Sequence, residues 1–197
     1  MRFNLLKQRF SVSSLVNFFL VCAFPFHLWK IIMLIRDVGW VTERAGTGSF
    51  FGLSSLALLY ALAESILFFA ALLILGLLIP WRWPAKRVYS ILGFIALWAP
   101  VWDILVQVYR GTIFQHPDFL FAWLFATGHP LRYGYLLLIG FTLIMFAITA
   151  GGIWLVSFNQ KVQQGIDNFL GRVATLSALY LALDVAAFVI LVIRITG

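Results

Sequence analysis

Cysteine is almost absent from this sequence, acid is scarce, and no polar stretch is long enough to build a domain in water. The lone Cys22 has no partner within the chain, so an internal disulfide, a thiolate metal cluster and dithiol redox chemistry are excluded. Charged residues make up 11% of the chain, against ~25% in ordinary soluble domains. Of the three histidines only His27 lies inside an apolar run, while His116 and His129 fall in a loop. That leaves no pair of histidines to grip a haem and no converging ligand set for a metal, so neither a cofactor nor a metal site is expected. Gly-x-Ser-x-Gly, His-Glu-x-x-His and aspartate-rich phosphoryl-transfer motifs are missing too, which leans against an enzyme. Gly46-Thr47-Gly48-Ser49 lacks the Lys-Ser/Thr ending of a phosphate loop and reads as a lead into the next apolar run.

What fills the sequence is hydrocarbon, with 63% hydrophobic residues. In lipid every backbone N–H and C=O must be satisfied internally, which allows helices or a closed barrel. Uninterrupted apolar runs, rather than short alternating ones, select helices. The expected fold is therefore all-α: one transmembrane domain over residues 1–197, with five spans at about 11–35, 50–79, 88–108, 133–158 and 173–193. The first run is too long for a signal peptide and ends in Phe26-His27-Leu28-Trp29-Lys30 instead of a small-residue cleavage site. Between the third and fourth spans, Pro117 to Phe125 is apolar but too short to cross, and predicts an outer re-entrant or interfacial helix. Residues 159–172 carry Val162, Ile166, Phe169 and Leu170 at helical spacing opposite Lys161, Gln163, Gln164 and Asp167, which predicts a short cytoplasmic amphipathic helix.

The formal charge of +7 does not form a stripe suited to nucleic acid. Arg2, Lys7, Arg9, Arg82, Lys86, Arg87, Lys161 and Arg172 fall on one side of the five spans. Arg36, Arg44, Arg110, Arg132 and Arg194 fall on the other, mixed with Asp37, Glu43 and Asp118. Positive-inside bias then places the N-terminus in the cytoplasm and the C-terminus outside, in a cell (plasma or inner) membrane, with the basic residues near anionic lipid.

Five ionisable residues lie inside the spans: His27, Lys30, Glu64, Asp103 and Asp184. A charge at the bilayer centre costs ~2.5–3.5 kcal/mol, so each must face the bundle interior, a wet cavity or a partner. Counted by depth along the expected spans, Glu64 and Asp184 form a midplane pair of carboxyls, and His27, Lys30 and Asp103 an outer group in which Asp103 meets Lys30 or His27. The midplane pair fits proton or cation binding. It fits better a pair of protonated carboxyls, or acceptors for the hydroxyls of Ser54, Ser55, Ser65 or Thr175, that fix helix packing. Gly48 and Gly52, and Gly134, Gly140, Gly151 and Gly152, offer smooth helix faces for close packing.

The basic break Pro80-Trp81-Arg82-Trp83-Pro84-Ala85-Lys86-Arg87 and the helix end from Trp102-Asp103-Ile104-Leu105 to Thr112, set among five spans, resemble the transmembrane region of lipoteichoic-acid-synthase-like and sulfatase-type membrane proteins. In that family such helices hold an outward-facing alkaline-phosphatase-like domain, which carries the metal and the nucleophile. The sequence stops where that domain would begin, so no catalytic residue carries over. The resemblance implies a detached membrane module beside a separately encoded hydrolase or transferase. The leading expectation is thus a non-catalytic anchor or accessory subunit whose partners are the bilayer and another membrane protein or a second copy. The alternative is a small transporter or proton-coupled component using Glu64 and Asp184.

Overall fold

The computed structural model describes residues 11–80, 82–109 and 118–196. The basic tail with Arg2, Lys7 and Arg9, the residue Trp81, and the start of the outer segment with Arg110 and His116 lie outside the described residues. The rest is helical: α1 (Val12–Arg44), α2 (Gly46–Leu78), α3 (Ala85–Tyr109), α4 (Asp118–Ala126), α5 (Pro130–Phe158) and α6 (Gln160–Thr196). All but α4 are long and apolar enough to cross a bilayer, which makes this a multi-pass membrane protein.

Each boundary has a local cause. Ser11 caps α1, its side chain accepting a hydrogen bond from the Ser14 N–H at 3.1 Å. Pro80 follows the end of α2, and Pro84 precedes α3 and accepts from the Val88 N–H. Gly128, at φ 73°, turns the chain out of α4, and Pro130 opens α5 where its missing N–H costs nothing. At Asn159 a single residue joins two helices. Its N–H donates to Leu155 O while its side-chain oxygen accepts from the N–H groups of Lys161 and Val162.

Two helices run further than the charges suggest. α1 continues through Arg36, Asp37 and Glu43, and the reversal into α2 takes place at Gly46, whose φ of 78° is open to glycine and strained for side chains with a Cβ. α1 and α2 therefore have 33 residues each, about 50 Å at ~1.5 Å per residue against ~30 Å of hydrocarbon, so they tilt or project. Close to the turn Arg36 Nε donates to Asp37 at 2.7 Å, and the Arg44 guanidinium lies 4.8 Å from the Trp40 ring centre. The expected division between an amphipathic helix at 159–172 and a span from Val173 is also absent. α6 is continuous over 37 residues because nothing in it breaks a helix, and Leu170 docks in the same core as Val173 and Ala174. The amphipathic stretch is an extension of the last span. α4, with nine residues, is ~13 Å long and lies against α5, Trp123 meeting Tyr133 edge-on.

α1 is the central element. Its Phe18, Val21 and Cys22 pack with Leu72 of α2, Val88, Leu92 and Ala96 of α3, and Leu170 and Val173 of α6. Cys22 thus acts as a small buried apolar group. α5 is peripheral, with only Met145, Val156 and Ser157 buried. It is tied to α3 by a chain in which Trp98 Nε1–H donates to Thr149 Oγ1 at 2.9 Å and Thr149 donates to Met145 O. Gly152 accepts the ring of Phe94, whereas a Cβ at Gly134, Gly140 or Gly151 would meet nothing within 4 Å. Gly93 lets α3 approach Leu170 so closely that a Cβ would overlap it.

That last contact yields a stability prediction. Gly93→Val lowers stability by about 1–3 kcal/mol through overpacking against the fully buried Leu170, while Gly140→Val stays within about 0.5 kcal/mol of the parent. Thermal unfolding of the detergent-purified protein measures both, and equal losses at the two positions would reject the close α3–α6 approach.

Candidate functional site

The five ionisable residues sort by helix geometry. His27 and Lys30 are one turn apart on α1 and project towards different neighbours. His27 is fully buried and faces α6, where Asp184 is 4% exposed; its Nε2 is 3.0 Å from each Asp184 oxygen. Its Nδ1–H donates to Ala23 O at 2.9 Å, which fixes the ring, and Tyr180 stacks on the imidazole with ring centres 5.4 Å apart. Because Ala23 O is a pure acceptor, Nδ1 must carry a proton. One further proton must then lie between Nε2 and the carboxyl, on either the ring or the acid. In both forms the pair is neutral overall, which is how a carboxyl and an imidazole tolerate this depth.

Lys30 faces the other way. Its Nζ is 3.5 Å from Glu64 Oε2, and their side chains are 31% and 44% exposed. Asp103 of α3 lines the same hollow of about 130 Å³, together with Trp29 and the two prolines Pro25 and Pro100. A proline within a helix leaves one carbonyl without its N–H donor, so the hollow is bordered by helices whose backbone ladders are both interrupted. Unlike the His27–Asp184 pair, this trio opens on the lateral surface.

The expected grouping by depth is corrected by these distances. Glu64 and Asp184 do not form a pair: each is held by its own base on α1. The longer α1 puts His27 and Lys30 near the middle of that helix, and the longer α6 puts Asp184 past the middle of its own, so His27 and Asp184 meet. Asp103 lines the same hollow as Lys30 and stands apart from the His27–Asp184 contact. The expected serine and threonine partners serve their own helices, since Ser55, Ser65 and Thr175 donate to the carbonyls of Phe51, Ala61 and Gly171. Ser54 Oγ is buried without a hydrogen bond. The Gly48/Gly52 face receives a side chain instead of a helix: Arg194 Nη1 donates to Gly48 O at 2.7 Å, and its guanidinium fills the space above Gly52.

One polar constellation escaped the sequence reading. Ser90 of α3 donates to Asp167 of α6, whose other oxygen is 3.5 Å from Lys86 Nζ. Asp167 had counted as part of a solvated face. Its spacing from Leu170 and Ala174, both buried, was the available signal that it points towards the bundle. Likewise Val173, Ser177, Tyr180, Asp184 and Ala187 form one buried stripe, which would have tied Asp184 to α1. Among the described residues no three His, Cys, Asp or Glu side chains converge as metal ligands.

Comparison with known families, with curated proteins and with solved structures gives no match for this chain.

The buried pair can be tested by linkage between its members. Interhelical hydrogen bonds in membranes average ~0.6 kcal/mol, but stranding one member of a buried ionic pair costs ~3–5 kcal/mol. His27→Leu and Asp184→Leu should each destabilise by about 3 kcal/mol, and the double variant should recover at least half of the summed loss. Additive losses in thermal unfolding would show that the two residues are not coupled.

Proposed function

We propose that this protein is a non-catalytic membrane anchor or accessory subunit that holds another membrane protein against the α1–α2–α3 face. The observation that carries this reading is the lateral opening of Lys30, Glu64 and Asp103. Lys30 and Glu64 lie at mid-helix with Asp103 beside them, and an ionised group left against acyl tails costs up to ~2.5–3.5 kcal/mol. The lining of the hollow brings Lys30, Glu64 and Asp103 together at the surface, and it suits a partner helix that brings a hydrogen-bonding side chain. The extensive apolar exposure of α5 suits lipid, which supports the α1–α2–α3 face as the partner's side.

The resemblance of the Pro80–Arg87 break and the α3 end to sulfatase-type membrane regions supports a partner that carries an extracytoplasmic hydrolase or transferase domain. The orientation that goes with it has the Ser11 end in the cytoplasm, the Gly46 turn and Thr196 outside, and α4 on the outer surface of a cell membrane. Its support is Arg82, Lys86, Arg87, Lys161 and Arg172 at one end, against Arg36, Arg44, Arg132 and Arg194 at the other, where Asp37 pairs with Arg36 and Glu43 adds a further acid. Proton-coupled transport has less support: it calls for Glu64 and Asp184 on one wet path, and Asp184 lies among packed side chains against His27.

A photo-crosslinking residue at Ile104, beside the hollow, should give one discrete protein adduct in native membranes, and the same probe at Leu143 on α5 none. Glu64→Leu with Asp103→Leu should abolish the Ile104 adduct. The reading fails if only lipid adducts form, or if mild-detergent purification returns a bare monomer every time. In reconstituted vesicles, Glu64→Gln and Asp184→Asn should leave proton flux unchanged, and a change would favour transport instead.

A further inference from the structure

Where α3 begins and α5 turns into α6, three helix ends surround a hollow of about 300 Å³ lined by Pro84, Lys86, Arg87, Ser157, Gln160 and Gln163, with Phe158 at its edge. Its lining has two cations, two amide side chains and no acid. Arg87 is held in place by Trp83, whose ring centre is 5.6 Å from the guanidinium carbon. Lys86 is shared with Asp167, at 3.5 Å, on its other side. The hollow lies at the level where the chain reverses between Leu78 and Ala85 and again at Asn159, which is the headgroup level of a bilayer crossed by these helices.

A second, larger hollow of about 670 Å³ continues from it, sharing Phe158 and Gln160 and adding Trp154, Leu155, Asn159 and Lys161. Trp154, Leu155 and Phe158 are exposed along α5, pointing from the polar hollow towards the hydrocarbon. The combination is a polar, cationic recess joined to an apolar track, and that has the shape and polarity of one lipid. We infer that this junction binds the phosphodiester of an anionic phospholipid between Arg87 and Lys86, with an acyl chain along Trp154, Leu155 and Phe158. Guanidinium and phosphate form charge-assisted bidentate bonds, and the amides of Gln160 and Gln163 supply further donors. A zwitterionic headgroup would bring its own cation into a recess that offers none of its lining residues as an acceptor of opposite charge. The bound lipid would bridge α3, α5 and α6 at the end of α5, the least buried of the five spans.

The test uses the whole protein in neutral detergent, titrated with phosphatidylglycerol, phosphatidylcholine or inorganic phosphate while thermal unfolding is followed. Phosphatidylglycerol should raise the midpoint saturably by several degrees, and phosphatidylcholine and inorganic phosphate should not. Arg87→Gln, which leaves the Lys86–Asp167 pair in place, should shift the titration at least tenfold to higher lipid, while Arg172→Gln, an exposed cation outside the hollow, should titrate as the parent does. Equal effects of the two lipids, an unchanged titration in Arg87→Gln, or an effect of phosphate alone would each overturn the lipid site. Should Arg87→Gln not fold, native mass spectrometry of the parent protein decides: one retained phosphatidylglycerol per chain supports the site, and none, or no preference over phosphatidylcholine, rejects it.

Discussion

Charge inside hydrocarbon has to be matched, and in this bundle one helix does the matching for two others. α1 presents an imidazole and an ammonium one turn apart, and each holds a carboxyl contributed from a different direction: Asp184 from α6 and Glu64 from α2. The central position of α1 in the core follows from the same arrangement, since Phe18, Val21 and Cys22 occupy the middle of the apolar cluster on which α2, α3 and α6 converge. Hydrophobicity alone gives no preference for helix over lipid tail, so partner choice falls to close packing and to polar contacts. Here packing draws α3 to α1, and polar contacts join α2 and α6 to it as well.

The two pairs have different surroundings and hence different uses. His27–Asp184 is sealed, stacked by Tyr180 and satisfied at both ring nitrogens, so it is a structural clamp. Lys30–Glu64 is half-exposed beside Asp103 and is the part of the membrane-embedded surface that is most expensive to leave against acyl chains. Closed polarity within the bundle and open polarity on its flank are separated by a single turn of α1.

The spans and the buried acids were legible in the sequence, because hydropathy over twenty residues is a strong signal and a carboxyl inside it is conspicuous. Helix ends were not. Arg36, Asp37 and Glu43 look like a loop, yet the helix runs through them to Gly46, since long charged side chains near a membrane surface extend to water and pair without breaking the backbone. Both α1 and α6 are longer than the spans expected from charge, so counting from the expected ends put His27 and Asp184 in separate layers although they meet. Asp167 was misread for a related reason: charge alone suggested solvent, whereas its register with Leu170 and Ala174 places it against Ser90 of α3.

α6 is fastened at both extremities. Near its start Asp167 is gripped by Ser90 and Lys86, and near its end Arg194 reaches across to the Gly48 carbonyl on α2. Between them runs an unbroken helix of 37 residues without a proline. The two fastenings lie ~40 Å apart along the helix axis, so one continuous helix ties the start of α3 to the start of α2 across the bundle.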